Sequence, residues 1–333
     1  MSAHESRRLY YAYARHALVT ALRLVRVESD SRVLLPEFIC RDVLASLRAI
    51  GAEAVFYEVD DELQPRSSIS LMHALDAVAQ PPAAIIAVNF FGFPADLARV
   101  RQLVPSRQVP VIEDNAHGWL SADQSGTPLG SRTEAGITSV RKTIRVPDGA
   151  YVEWRNDVTL NTRALHEPLT PRAEALPVSF RVRRAMSQID ARAPMAVMPL
   201  ARDAVRLLRR LGGKPSVSDN AAEEWNLPAN RSPHRESLKF MSQLDNAREI
   251  ARRRTLFERA VTSWQRNLVS SGRSSRFHDT FLRRASPTSA TLIARCRSPE
   301  PCAVIDLVRT SLDLRCQATL HSLQTLDFVP CTS

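Results

Sequence analysis

The sequence predicts an α/β fold with a mostly parallel central sheet. Short apolar runs alternate with amphipathic or alanine- and leucine-rich segments from Leu9 to Val140, and the runs are apolar on both faces. Strands of that kind are satisfied when helices cover both sides of a sheet. One run closes on an acidic pair, Glu113-Asp114. The carboxyl edge of an open α/β sheet is where such folds gather ligand-binding groups.

Taken in order, Leu9–Val25 reads as an amphipathic helix and Arg32–Pro36 as a strand stopped by proline. Arg41–Ile50 is a helix ended by Gly51, and Ala54–Val59 a strand followed by Asp60-Asp61-Glu62. Ser70–Ala79 reads as a helix, Ala83–Asn89 as a buried strand and Pro94–Leu103 as a helix. The strand Val109–Glu113 and the short strand Ala135–Val140 complete the alternation. Residues 155–200 then read as irregular, with Pro168, Pro171, Pro177 and Pro194. A helix at Leu200–Leu211 ends at Gly212-Gly213, and Ser216–Pro233 resembles a linker. A long helix is expected from Glu236 to about Leu268. Beyond it a strand is expected at Ala290–Arg295, a helix at Pro301–Leu312 and a strand near Leu326. The expected division is a large domain, 1–230, whose segment 155–230 is helical or irregular, and a smaller C-terminal α/β domain, 231–333.

Composition narrows the function classes. Length suits two domains, and 44% hydrophobic with 24% charged residues is ordinary for a globular chain. No apolar stretch has membrane-spanning length, and no apolar core follows Arg7-Arg8, so neither a membrane segment nor a secretory signal is expected. Five cysteines (Cys40, Cys296, Cys302, Cys316, Cys331) form no CxxC pair. No metal site and no disulfide framework is expected, and a reducing cytoplasm is the expected home. The net charge of +10 comes from arginines spread between acids from Arg7 to Arg315, without a basic-aromatic stripe. A nucleic-acid partner is therefore not expected.

Only three of the 45 basic residues are lysines, and Lys142 stands in Ser139-Val140-Arg141-Lys142-Thr143. Lysine differs from arginine in having an amine that can lose its proton and attack a carbonyl, which burial beside Arg141 or Arg145 would favour. A strand-end Asp114 followed by a rare lysine matches the needs of a pyridoxal-phosphate enzyme. One group protonates the ring nitrogen and the other forms the Schiff base. Singly, each piece keeps a second reading. Asp114 also reads as a surface acid, His117 as a polar loop residue, Lys142 as a solvated lysine beside two arginines and Ser139 as a plain strand serine. Tyr13–Leu18, a helix start suited to a phosphate, lacks a glycine. The aromatics of Asn89-Phe90-Phe91-Gly92-Phe93-Pro94 read as turn packing.

In order, the pieces resemble the DegT/StrS family of sugar-nucleotide aminotransferases, which have the fold type I of pyridoxal-phosphate-dependent transferases. The resemblance runs through Ala14-Arg15-His16-Ala17-Leu18, Leu35-Pro36-Glu37-Phe38-Ile39-Cys40, Gly51-Ala52-Glu53-Ala54-Val55-Phe56 and Phe91-Gly92. It continues in Ile112-Glu113-Asp114-Asn115-Ala116-His117 and Ser139–Gly149. It covers residues 9–153 well and the remainder loosely. It implies pyridoxal 5'-phosphate as cofactor, Asp114 as the pyridinium partner, His117 as a ring neighbour and Lys142 as Schiff base and proton shuttle. It further implies that Ser139 and the backbone of Ala14 and Arg15 take the phosphate, and that Cys40 lies against the ring face.

The implied activity moves an amino group from an amino-acid donor, glutamate above all, to a keto sugar or nucleotide sugar, in a homodimer. Ala14 and Ala150 stand where the family has glycine, and the C-terminal domain is expected to be abbreviated. These departures keep open an alternative, a degenerate member that binds cofactor or a partner without turnover.

Overall fold

The structure is a computed structural model. It describes residues 6–67, 71, 81–104, 108–155, 160–161, 165, 169–176, 180–181 and 225–270. The elements are β1 (Ser6–Tyr11), α1 (Ala14–Leu24), β2 (Arg32–Pro36), α2 (Asp42–Arg48), β3 (Glu53–Val59), β4 (Pro65–Arg66) and β5 (Ala84–Val88). There follow α3 (Leu97–Gln102), β6 (Val111–Asn115), β7 (Ala135–Ser139), β8 (Ala150–Arg155), α4 (Arg235–Gln243) and α5 (Asn246–Ser270).

The eight strands form one sheet in the order β1-β8-β7-β6-β5-β2-β3-β4. The central pairings β3–β2, β2–β5, β5–β6 and β6–β7 are parallel. The pairings β7–β8, β8–β1 and β3–β4 are antiparallel. The expected α/β class with a mostly parallel sheet is what the described residues form.

The pleat sends alternate side chains to opposite faces. On one face Leu35, Ile86, Ile112, Ile137 and Val152 pack beneath Leu18, Ala21 and Leu22 of α1. On the other, Leu34, Ile85 and Val111 pack with Val100 of α3 and Leu103. Asp114 therefore shares the α1 face with Ile112, and Glu113 faces the opposite way with Val111.

Glu113 has no solvent exposure. Its Oε1 accepts from Asn89 Nδ2 at 2.7 Å and lies 2.6 Å from Arg132 Nη2, while its Oε2 accepts from the Arg132 backbone N–H at 3.1 Å. Asn89 Oδ1 in turn accepts from Arg132 Nη2 at 3.0 Å and from the Ala95 N–H at 2.9 Å. A buried charge is tolerated when it is paired and hydrogen-bonded, and every bond here ties β5 and β6 to the loops beyond them. The loop before β7 also crosses close to the sheet. A Cβ on Gly136 would lie 1.9 Å from the Gly130 carbonyl oxygen, so only glycine fits there.

Four elements differ from the sequence reading, one of them the two-residue strand β4, which was not expected. Residues 9–11 are strand, not the start of a helix, because Leu9, Tyr10 and Tyr11 pair with Val152, Tyr151 and Ala150 of β8, in that order. The helix begins only at Ala14, after an extended Tyr13 (φ −135°). The strand β8 was not foreseen. It returns antiparallel along β7, and its residues Ala150 to Glu153 and Trp154 are buried. The single long helix expected from Glu236 is two helices. Leu244 is extended (φ −73°, ψ 127°), and Asp245 Oδ1 accepts from the Arg248 N–H at 3.0 Å, starting α5 afresh. The helices expected at Leu200–Leu211 and, but for Leu71, at Ser70–Ala79, and everything expected after residue 270, lie outside the described residues.

Residues on either side of position 230 pack onto the sheet unit. The Arg231 carbonyl accepts from the Ala12 N–H at 2.8 Å. Buried Asp148 accepts from the His234 N–H at 2.9 Å and the Ser237 hydroxyl at 2.9 Å, and it is ion-paired with Arg172.

Arg132→Met would leave Glu113 buried without its cation. Urea denaturation followed by tryptophan fluorescence is expected to show a loss of about 3–5 kcal/mol, partly recovered by adding Glu113→Gln.

Candidate active site

Four features meet at one edge of the sheet because of strand register. β6 and β7 run parallel with Asp114 opposite Ile137 and Asn115 opposite Thr138, so both chains leave the sheet at the same end. Ser139 is opposite Ala150 in β8, and Ala150 is opposite Tyr11 in β1, which brings the start of α1 to that end as well. Gly149 joins the three. Its N–H donates to the Ala12 carbonyl at 2.9 Å, and its carbonyl accepts from the Val140 N–H at 2.9 Å. Its φ of +125° is one that L side chains rarely adopt, so the glycine is required. Ala14 and Ala150, which stand where glycines were expected, have no such need. Neither is among the residues with positive φ, and Ala150 is an ordinary buried strand residue.

Asp114 is 6% exposed and accepts from the Ala116 N–H at 2.9 Å. Burial pushes its carboxyl up from the ordinary value, opposed by the Lys142 charge and the Ala116 hydrogen bond. Lys142 closes a 3₁₀ turn over Val140–Lys142, and its Nζ lies 3.2 Å from His117 Nε2. Burial and then the Lys142 charge hold the His117 imidazole well below its ordinary value, so the ring is neutral at neutral pH. The Cys40 thiol is raised by burial and by Asp42, and it feels the charges of Lys142 and Asp114. Asp114, His117, Lys142 and Cys40 are thus in one electrostatic neighbourhood.

Ser139 is buried at the end of β7. Ala14 and Arg15 form the first turn of α1, where backbone N–H groups and the helix dipole favour an anion. The Arg15 side chain is buried and lies 3.9 Å from Asp42. The guanidinium of Arg141 sits 5.3 Å from the Tyr13 ring centroid, adding positive charge beside that helix start.

Sequence reasoning passed over Phe91. It lies in the left-handed region (φ 58°, ψ 19°), rare for a bulky side chain, and its ring stacks on His117 at 5.7 Å and 11°. The signal was Phe91-Gly92 just after a strand end, which fits turn packing equally well. Glu113 was read only as a neighbour of Asp114. Its partner Arg132 lies nineteen positions on and carries no local mark.

Among the described residues no group of three or more His, Cys, Asp and Glu is placed to hold a metal ion, and no helix is long and apolar enough to cross a membrane.

Residues 11–161 match the DegT/DnrJ/EryC1/StrS aminotransferase family. That segment contains every site residue named above. Curated relatives include the arginine decarboxylase of Bacillus subtilis (strain 168), 29% identical over 150 residues, covering 38% of this chain and 30% of the relative. They also include the UDP-N-acetyl-3-dehydro-alpha-D-glucosamine 3-aminotransferase of Acidithiobacillus ferrooxidans, 29% identical over 123 residues, with coverage of 37% and 32%. Among solved structures, the aminotransferase TlmJ from Streptoalloteichus hindustanus aligns at 25% identity and a TM-score of 0.38, over 45% of this chain and 40% of that one. The chain spans about a third of the length of the two curated relatives.

The His117 value depressed by burial implies that the unfolded chain binds a proton the folded chain does not. Stability is then fully present above about 6.5, the ordinary histidine value, and falls as pH drops toward the folded value. Urea midpoints at about pH 7.5 and pH 5 are expected to fall more for the unaltered protein than for His117→Gln. Asp114 acts with the opposite sign, and the comparison isolates the imidazole.

Proposed function

We propose that this site holds pyridoxal 5'-phosphate and transfers amino groups. The carrying observation is a buried carboxylate, Asp114, at the same sheet edge as the Lys142 amine and a neutral His117. Burial disfavours the Asp114 anion, and a cation set against it reverses that cost. A protonated ring nitrogen is such a cation, so the residues fit the group.

In this reading Asp114 holds the proton on the ring nitrogen. His117, steadied by Phe91, and Cys40 would be the residues that flank the ring. Ser139 and the first-turn N–H groups of Ala14 and Arg15 bind the phosphate. The bound cofactor supplies an electron-withdrawing ring that accepts the pair released when the donor's Cα–H bond breaks. Lys142 Nζ would be the amine that holds the cofactor and, when free, the base placed to take the proton from the donor's Cα and to give it back. His117 at 3.2 Å orients the amine.

The proposed donor is an amino acid such as glutamate and the proposed acceptor a keto sugar or nucleotide sugar, in keeping with the aminotransferase relative named for a UDP-sugar. A cytoplasmic homodimer with domains divided near residue 230 is part of the same proposal. Residues 231–253 then supply the contacts by which the second domain docks.

Adding pyridoxal 5'-phosphate is expected to give an absorbance band that Lys142→Ala abolishes. Asp114→Asn is expected to weaken binding by about 30-fold or more, the cost of about 2 kcal/mol for losing one partner of a buried charge pair. Amino transfer is then assayed with glutamate and a panel of nucleotide keto sugars, alongside arginine decarboxylation. A band without turnover of any substrate would favour the binding-only alternative.

A further inference from the structure

α5 carries a buried arginine that the chemistry above does not use. Arg253 is 8% exposed. Its Nε donates to Glu249 Oε1 at 2.9 Å, one turn earlier in the same helix. Its other two nitrogens leave the helix. Nη1 donates to the Trp119 carbonyl at 3.3 Å and Nη2 to the Thr143 carbonyl at 3.2 Å.

Those acceptors are not scattered. Trp119 is two residues past His117, and Thr143 directly follows Lys142. One rigid, planar fork therefore ties together the two loops that bear the 3.2 Å contact between Lys142 Nζ and His117 Nε2. The fork is itself held. Glu249 also accepts from Arg252 at 2.8 and 2.9 Å, and its carboxyl is drawn down to about 2, so it stays ionised throughout the neutral range. Asp245 fixes the start of the helix from which both residues project.

We propose that Arg253 is a positioning residue that sets the spacing of the Lys142 amine from the His117 imidazole. The consequence for cofactor capture rests on the function proposed above; the spacing itself does not. A fork bonded to both loops resists their separation, whereas either loop alone would be free to drift by the fraction of an ångström that disturbs an attacking geometry.

The test uses the full chain without cofactor and follows the His117 imidazole by NMR across pH in Arg253→Met, Arg253→Lys and Glu249→Gln. Arg253→Met is expected to raise the titration midpoint of His117 by about one pH unit or more, as the ring gains water and loses the Lys142 charge. Arg253→Lys, whose point charge cannot span two carbonyls, is expected to restore part of the shift, and Glu249→Gln to give a smaller one. If Arg253→Met does not fold, the lysine and Glu249→Gln variants decide the matter by the same readout. A lowered melting temperature with an unmoved His117 titration in the folded variants would overturn the proposal and leave Arg253 a plain helix anchor.

A second readout, the rate at which pyridoxal 5'-phosphate produces its absorbance band, is expected to fall about 10-fold in Arg253→Met. Absence of the band in the unaltered protein, with the His117 shift still present, would remove the cofactor reading and leave the positioning role standing.

Discussion

β6 and β7 lie side by side in one fixed parallel register, and the pleat of β6 separates two adjacent carboxylates onto opposite faces. Glu113 goes down into Arg132 and Asn89, and Asp114 goes up toward α1 and Lys142. A slip of one residue would exchange them. The ion-paired carboxylate would then face the site, and Asp114 would be buried in the lower core, away from Lys142. The Glu113–Arg132 pair therefore contributes more than stability. It penalises the wrong register heavily, which fixes where Asp114 and His117 emerge.

Much of this was legible in the sequence because periodicity and termination are local. β2 occupies Arg32–Pro36, as its branched residues and closing proline indicate, and α2 stops before Gly51. Asp114 and Lys142 stood out through their residue types and come together in the structure. What was not legible depends on distance along the chain. β1 is a strand because β8 is there to pair with it, and Leu9-Tyr10-Tyr11 continue into a helical pattern that hid the change. The break at Leu244 rests on Asp245 capping a new helix, a signal outweighed by helical composition on both sides. The pairs Glu113–Arg132, Asp148–Arg172 and Arg253–Trp119 join residues from separate segments, and nothing local in the sequence announces them.

The buried acids share a pattern of use. Glu113 and Asp148 are each fully supplied with donors and act as struts, one between strands and loops, the other between the end of the β7–β8 connection and residues 232–237. Asp114 sits in comparable seclusion, yet burial leaves its anion disfavoured. Position alone does not separate a strut from a reactive group. The balance of donors around it does.

Phe91 makes opposing demands on a single position. The backbone there favours glycine, since φ lies at 58°, while the stack on His117 requires an aromatic ring. Selection for a sturdier fold and selection for a steadier histidine therefore pull that residue in different directions. Glycine at this position would relieve the backbone and remove the ring in one step, exchanging a steadier histidine for a steadier fold.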